Sequence, residues 1–111
     1  MKQIWQQAVL IGTATAIISS INLPAQAGVY WSGTGVITSG SGQGGTVSLS
    51  LTIDGSNVKF HSGPSEGETK TISNGVAYSN AGVWEFENCG SDLCINFEQN
   101  SPSRTIYYRL N

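Results

Sequence analysis

Residues 46–53 read Thr-Val-Ser-Leu-Ser-Leu-Thr-Ile. Val47, Leu49, Leu51 and Ile53 alternate with Thr46, Ser48, Ser50 and Thr52. A strict period of two predicts a strand with one face in a core and the other in water. Asp54-Gly55 follows at once, and this pair supplies the positive φ angles of a tight hairpin turn. The returning stretch, Asn57 to Ser62, places Val58 and Phe60 on one face and Lys59 and His61 on the other.

Upstream, Val29 to Thr38 predicts another strand. Val29, Trp31 and Ile37 share a face with Gly33 and Gly35. Inward glycines leave room for sharp curvature or for close approach of a second strand. Ser39 to Gly45 is a neutral, glycine-rich loop. Its Gly40-x-Gly42-x-x-Gly45 spacing matches a dinucleotide-binding fingerprint. That chemistry needs a helix N-terminus after the glycines, and here a strand follows.

Downstream, Gly63 to Glu68 is a polar loop containing Pro64. Thr69–Ser73 and Val76–Ser79 flank Asn74-Gly75, a second hairpin signal. Val83–Cys89, Leu93–Gln99 and Arg104–Leu110 complete the pattern. The fold class expected is all-β: a small antiparallel meander of about eight strands with short, regularly spaced turns. Consecutive short connections favour an up-and-down barrel, with a β-sandwich as the alternative. Val47, Leu49, Leu51, Phe60, Trp84, Phe86, Ile95, Phe97, Ile106, Tyr108 and Leu110 are the expected filling.

The first 27 residues read as a signal peptide. Lys2 precedes the mostly apolar Ala8–Ile21 run, and Ala25-Gln26-Ala27 forms an A-x-A cleavage signal. The run is shorter than the roughly 20 residues of a membrane span. Position 28 is Gly, not the Cys of a lipoprotein. Residues 28–111 are then one small all-β domain, secreted or periplasmic, with no membrane attachment after cleavage. Charged residues are 11% of the chain and the net charge is −2, which gives no pull toward nucleic acid. No charged residue lies between Lys2 and Asp54. The first two strands therefore present a neutral Ser/Thr/Gly outer face, either plainly solvated or meant for a neutral partner such as a glycan or another subunit.

Two cysteines, Cys89 and Cys94, predict one disulfide in an exported domain of this size. Setting them directly opposite pairs Phe86 with Phe97, Glu85 with Glu98 and Glu87 with Asn96. Glu85, Glu87 and Glu98 then form an outward acidic face, with Tyr107 and Arg109 beside it. The simplest reading is a solvated face with Arg109 as counter-charge. A calcium site from carboxylate oxygens and a glycosidase pair are the chemical alternatives. The second needs a cleft for which so small a domain has little room.

His61 is the only histidine. It has no nucleophile or orienting carboxylate near it in sequence, and Asp54 and Asp92 sit in turns. With no free thiol expected, no catalytic set, cofactor or metal-ligand set emerges. The chain is expected to be a non-enzymatic exported binding module for an unknown protein or glycan. Gly42, Gln43, Ser73, Asn74 and Tyr78 are the candidate contacts, through a loop end acting with the Ser73–Tyr78 hairpin. Tyr30 and Tyr107 point outward and could instead offer a platform for sugar stacking.

Gly75-Val-Ala-Tyr78-Ser-Asn-Ala-Gly-Val-Trp84 resembles the middle of the small exported eight-stranded barrels that inhibit C-type lysozymes. The resemblance covers about a dozen residues. It implies a second function, inhibition of a secreted hydrolase, with Ser73 as the residue inserted into the enzyme. This chain departs from that pattern in two ways. Both cysteines lie in one hairpin rather than tying distant strands, and Trp84 is followed by Glu85-Phe86-Glu87-Asn88 with no Lys. A third reading is a small calcium-binding or glycan-binding surface protein.

Overall fold

The computed structural model describes residues 7–11, 13–14 and 28–111. The leader expected over 1–27 lies outside the described residues, apart from an antiparallel backbone pairing of β1 (Gln7–Ile11) with β2 (Thr13–Ala14).

Residues 28–111 form an all-β domain of eight antiparallel strands. These are β3 (Val29–Gly40), β4 (Thr46–Asp54), β5 (Asn57–Ser62), β6 (Thr69–Thr71), β7 (Val76–Tyr78), β8 (Gly82–Cys89), β9 (Asp92–Gln99) and β10 (Arg104–Leu110). Their order in the sheet is β6-β5-β4-β3-β10-β9-β8-β7. Each strand pairs with its sequence neighbour, and β3 pairs with β10. The two end strands, β6 and β7, are consecutive in sequence and are connected by a turn that the Ser73↔Val76 bridge closes. The sheet is therefore a nearly closed barrel whose seam lies between two three-residue strands. Short edges and curvature leave little unpaired backbone for another chain to copy.

The core follows the alternation. Leu49, Leu51, Val58, Phe60, Trp84, Phe97, Ile106, Tyr108 and Leu110 are buried. Val47 and Phe86 are only partly covered and pack against that cluster. The inward glycines of β3 accommodate a neighbouring strand. A Cβ on Gly35 would fall 2.5 Å from Cδ1 of Tyr108, and one on Gly33 would meet Arg109 O at 2.9 Å.

The β8–β9 register corrects the sequence expectation. Cys89 faces Asp92 and Glu87 faces Cys94, so Phe86 lies opposite Ile95 and Trp84 opposite Phe97. A two-residue Gly90-Ser91 turn sets this, with Gly90 at φ 69°. The cysteines bond diagonally, with Cα atoms 5.8 Å apart. The shift is by two residues, so every side chain keeps its expected face. The partners change. Glu85 faces Asn96 and Glu98 faces Val83, and no two carboxylates sit directly opposite each other.

Alternating strand direction sorts the turns between two ends. One end carries 41–45, 63–68, 79–81 and 100–103. The other carries the chain's entry at Gly28, Asp54–Asn57, Ile72–Gly75, the Gly90-Ser91 turn and the C-terminus.

Candidate functional site

The barrel interior is closed to ligands. Trp84 stacks on Phe97 with ring centroids 3.7 Å apart, and Phe60 and Tyr108 flank it at 4.6 and 6.0 Å. Its indole Nε1 donates to Ser65 Oγ at 3.1 Å and to Ser79 Oγ at 3.0 Å. The two hydroxyls are 2.8 Å apart. Ser65 is buried and comes from the 63–68 loop. That loop folds over its end of the barrel, held by Phe60 N–H to Glu68 O, Gly67 N–H to Phe60 O and Glu66 N–H to Gly63 O. From the sequence the segment reads only as a polar loop containing Pro64. The structure instead shows a plug that satisfies a buried indole. A Ser among Pro and Gly reads as solvent-facing, and nothing local in sequence reveals its distant partner.

The glycine-rich loop after β3 is likewise tied down. Gly44 N–H donates to Ile37 O, Ile37 N–H to Gly45 O, and Ser41 N–H to Ser103 O. Gly42 and Gln43 are exposed at its tip. Ser73 and Asn74 are exposed at the opposite end, beside the disulfide turn rather than beside Gly42. Of the expected contacts, Ser73 and Asn74 are therefore separated from Gly42 and Gln43 along the barrel, while Tyr78 borders the 79–81 turn at the Gly42 end. Tyr78, in β7, is the most exposed large hydrophobic side chain among the described residues, at 71%. The Ser73 turn is rigid: Asn74 and Gly75 hold φ 54° and 77°, and Ser73 and Val76 exchange both backbone hydrogen bonds.

Glu85, Glu87, Glu98 and Arg109 are exposed on the outer face of β8–β10. Glu98 accepts from Thr105 Oγ1 at 3.0 Å and from Asn96 Nδ2 at 3.2 Å. Arg109 does not serve the glutamates. Its Nε lies 2.8 Å from Asp92 Oδ2, and that hydrogen bond raises the guanidinium's already high pKa. A dent of about 110 Å³ lies between Glu85, Glu87, Asn96 and Tyr107, too small for an organic ligand. Among the described residues no three His, Cys, Asp or Glu side chains converge to hold a metal ion. Tyr107 hydroxyl reaches Cys94 Sγ at 3.1 Å and covers that half of the disulfide.

A roomier groove, of about 320 Å³, lies on β4–β6, lined by Thr52, Asp54, Asn57, Lys59, His61 and Thr69. Strand pairing builds it. Tyr30 faces Thr52, Thr52 faces Lys59, and Lys59 faces Thr69, a row of outward side chains across four strands. Between Ser50↔Ser62 and Leu51↔Phe60 the register slips, leaving His61 as the extra residue of a β-bulge. Its Nε2 lies 2.7 Å from Thr52 Oγ1, and its ring sits 5.8 Å from that of Tyr30. Tyr30 is 59% exposed. Asn57 Oδ1 accepts from Thr71 Oγ1, while the side chains of Lys59 and Asp54 carry no hydrogen bond or ion pair among the described residues. From the sequence Tyr30 reads as outward and His61 as isolated. Their side-by-side placement cannot be read there, because the bulge leaves no mark in the local pattern.

No family model, curated protein or solved structure matches this chain.

Proposed function

We propose that the protein is a non-enzymatic, exported binding module that meets its partner with its outside. The observation that carries this reading is the filled interior. With Trp84 stacked at the centre and Ser65 capping one end, no lumen remains, so recognition falls to the surface. Export is supported by the signal-like first 27 residues. The disulfide is compatible with an extracellular or periplasmic location. No helix among the described residues is long and apolar enough to cross a membrane. His61 has hydroxyl and aromatic neighbours rather than an orienting carboxylate, which argues against acid–base work.

The test is a screen of the purified protein against esterase, glycosidase and protease substrates, run beside capture of partners from the exported fraction with crosslink mapping. The reading expects no turnover and a crosslinked partner on outward side chains. Turnover lost in His61→Ala or Glu98→Gln overturns it.

A second reading, inhibition of a secreted hydrolase such as a C-type lysozyme, is favoured by the Ser73-Asn74 turn. That turn is exposed and conformationally fixed, so presenting it to an enzyme cleft costs little ordering entropy. A stoichiometric complex with lysozyme, weakened by Ser73→Ala, distinguishes this reading from the first.

A further inference from the structure

We propose that the groove on the outer face of β4–β6, together with the Tyr30 ring, is a binding site for one residue of a neutral glycan. The inference deepens the reading of an outer-surface binding module and rests on it.

A pyranose ring offers two chemistries: an apolar face of C–H groups and a rim of hydroxyls that both donate and accept. The groove offers the complement of each. Tyr30, 59% exposed, supplies an aromatic face at the edge of the row. Tyrosine loses few rotamers on engagement, so an exposed ring is an inexpensive platform. Below it Thr52, Asn57 and Thr69 present hydroxyl and amide groups. The Lys59 ammonium brings free donors and the Asp54 carboxylate free acceptors, neither engaged among the described residues.

The volume of about 320 Å³ lies at the small end of ligand sites, enough for one sugar unit and too little for the core of a protein interface. The lining also lacks the apolar centre that a protein partner requires. Neutrality follows from the charges present. Asp54 and Lys59 are of opposite sign and lie one strand apart on the same face, so an acidic sugar gains from one what it loses to the other. Beyond them the outward residues of β3 and β4 are mainly Ser and Thr, with Val36 among them and no charge between Lys2 and Asp54. A neutral chain can therefore run onward over Ser32 and Ser50, which face each other across β3 and β4.

The bulge contributes positioning. The extra residue at His61 sets the imidazole between Thr52 and Tyr30, where it braces the ring and fixes the hydroxyl. Tyr30 and Lys59 would touch the sugar, while His61 acts through both neighbours.

The experiment is NMR titration of the purified protein with cellohexaose, chitohexaose, mannohexaose and laminarihexaose, with oligogalacturonate as an acidic control. The expected result is saturable shifts at residues 30, 52, 57, 59 and 61 with at least one neutral probe, and none at Ser73–Tyr78. Tyr30→Ala should weaken that probe about tenfold, equal to about 1.4 kcal/mol, and Tyr30→Phe should keep most of the affinity. Tyr107→Ala, an outward tyrosine away from the groove, should leave affinity unchanged. Melting temperatures of the variants show that each is folded. Three results overturn the proposal: no saturable shift with any neutral probe at millimolar concentration, binding of oligogalacturonate alone, or a neutral probe that binds equally well to Tyr30→Ala. If no sugar binds while a captured protein crosslinks elsewhere on the outer face, this site fails and the binding-module reading stands. Substrate turnover removes both.

Discussion

Tyr108 lies flat against Gly35. The two residues face each other across β10 and β3, and the ring occupies the space that a Cβ on the glycine would take, 2.5 Å from ring Cδ1. The contact is the point where the last strand closes onto the first of the barrel. Gly35→Ala forces the buried ring aside or bends β3. The expected loss is about 1–3 kcal/mol, the range of core overpacking. Urea unfolding monitored by tryptophan fluorescence measures it, and an unchanged midpoint sinks the account.

The hydroxyl of the same tyrosine is buried with no hydrogen-bond partner among the described residues. Burial pushes its phenol well above the ordinary value, with Arg104 pulling more weakly the other way. The folded state thus holds the proton more tightly than the unfolded chain does. The resulting stability is complete below about pH 10 and is lost as pH rises beyond it. Tyr108→Phe has no proton to release, so its stability should fall less between about pH 8 and pH 11. At neutral pH the substitution is expected to be neutral or stabilising by up to about 1 kcal/mol, since it removes an unpaired buried polar atom. Identical alkaline slopes in both proteins disprove the assignment.

The indole of Trp84 has two serine acceptors, which sets up a coupled pair. Ser65→Ala leaves Ser79 Oγ in place and should cost about 1 kcal/mol. Ser79→Ala should cost more, because Ser79 Oγ also accepts from Ala81 and Gly82 N–H. The double variant strands the indole N–H and should exceed the sum of the two by about 1 kcal/mol. Additive losses in a double-mutant cycle would show that each serine acts alone.

On the acidic face the observed register sets no glutamate directly opposite another carboxylate. Glu85→Gln should change stability by less than about 0.5 kcal/mol, as for an exposed, unpaired side chain. Glu98→Gln should cost a little, since it weakens acceptance from Thr105 and Asn96. Stabilisation in both, read from thermal unfolding, contradicts this.

The purified protein should titrate no thiol under denaturing conditions, because the two cysteines are bonded to each other. Breaking that bond in Cys89→Ala with Cys94→Ala should cost about 2 kcal/mol at most, since it closes a short loop. A reactive thiol in the unreduced protein counts against the pairing.

Much of this architecture was legible in the chain. Alternation from Thr46 to Ile53 assigned faces, and the Asp54-Gly55 and Asn74-Gly75 turns placed hairpins where they occur. Gly33 and Gly35 announced a close approach, though not which strand would make it. The β8–β9 register escaped because the cysteines were set face to face, whereas the Gly90-Ser91 turn governs pairing and a disulfide also spans a diagonal. The groove was half legible. An outward Tyr30 and an outward His61 follow from parity, but their adjacency depends on β3 lying beside β4 and on a one-residue slip that no periodicity encodes. Ser65 could not be read at all, because its burial is decided by Trp84, nineteen residues away.

The strand order also has a kinetic side. Every pairing but one joins neighbours in sequence, so β3–β6 and β7–β10 are two four-stranded ribbons that can each assemble through local hairpins. Only the β3–β10 ladder spans the domain, extended by the reciprocal bonds of Ser32 with Asn111. Bringing those strands together closes the largest loop in the molecule and carries the largest entropic cost. A circular permutant that links residue 111 to residue 29 and opens between Asn74 and Gly75 turns that remote ladder into a local one. It should fold faster than the natural order, with the native sheet intact.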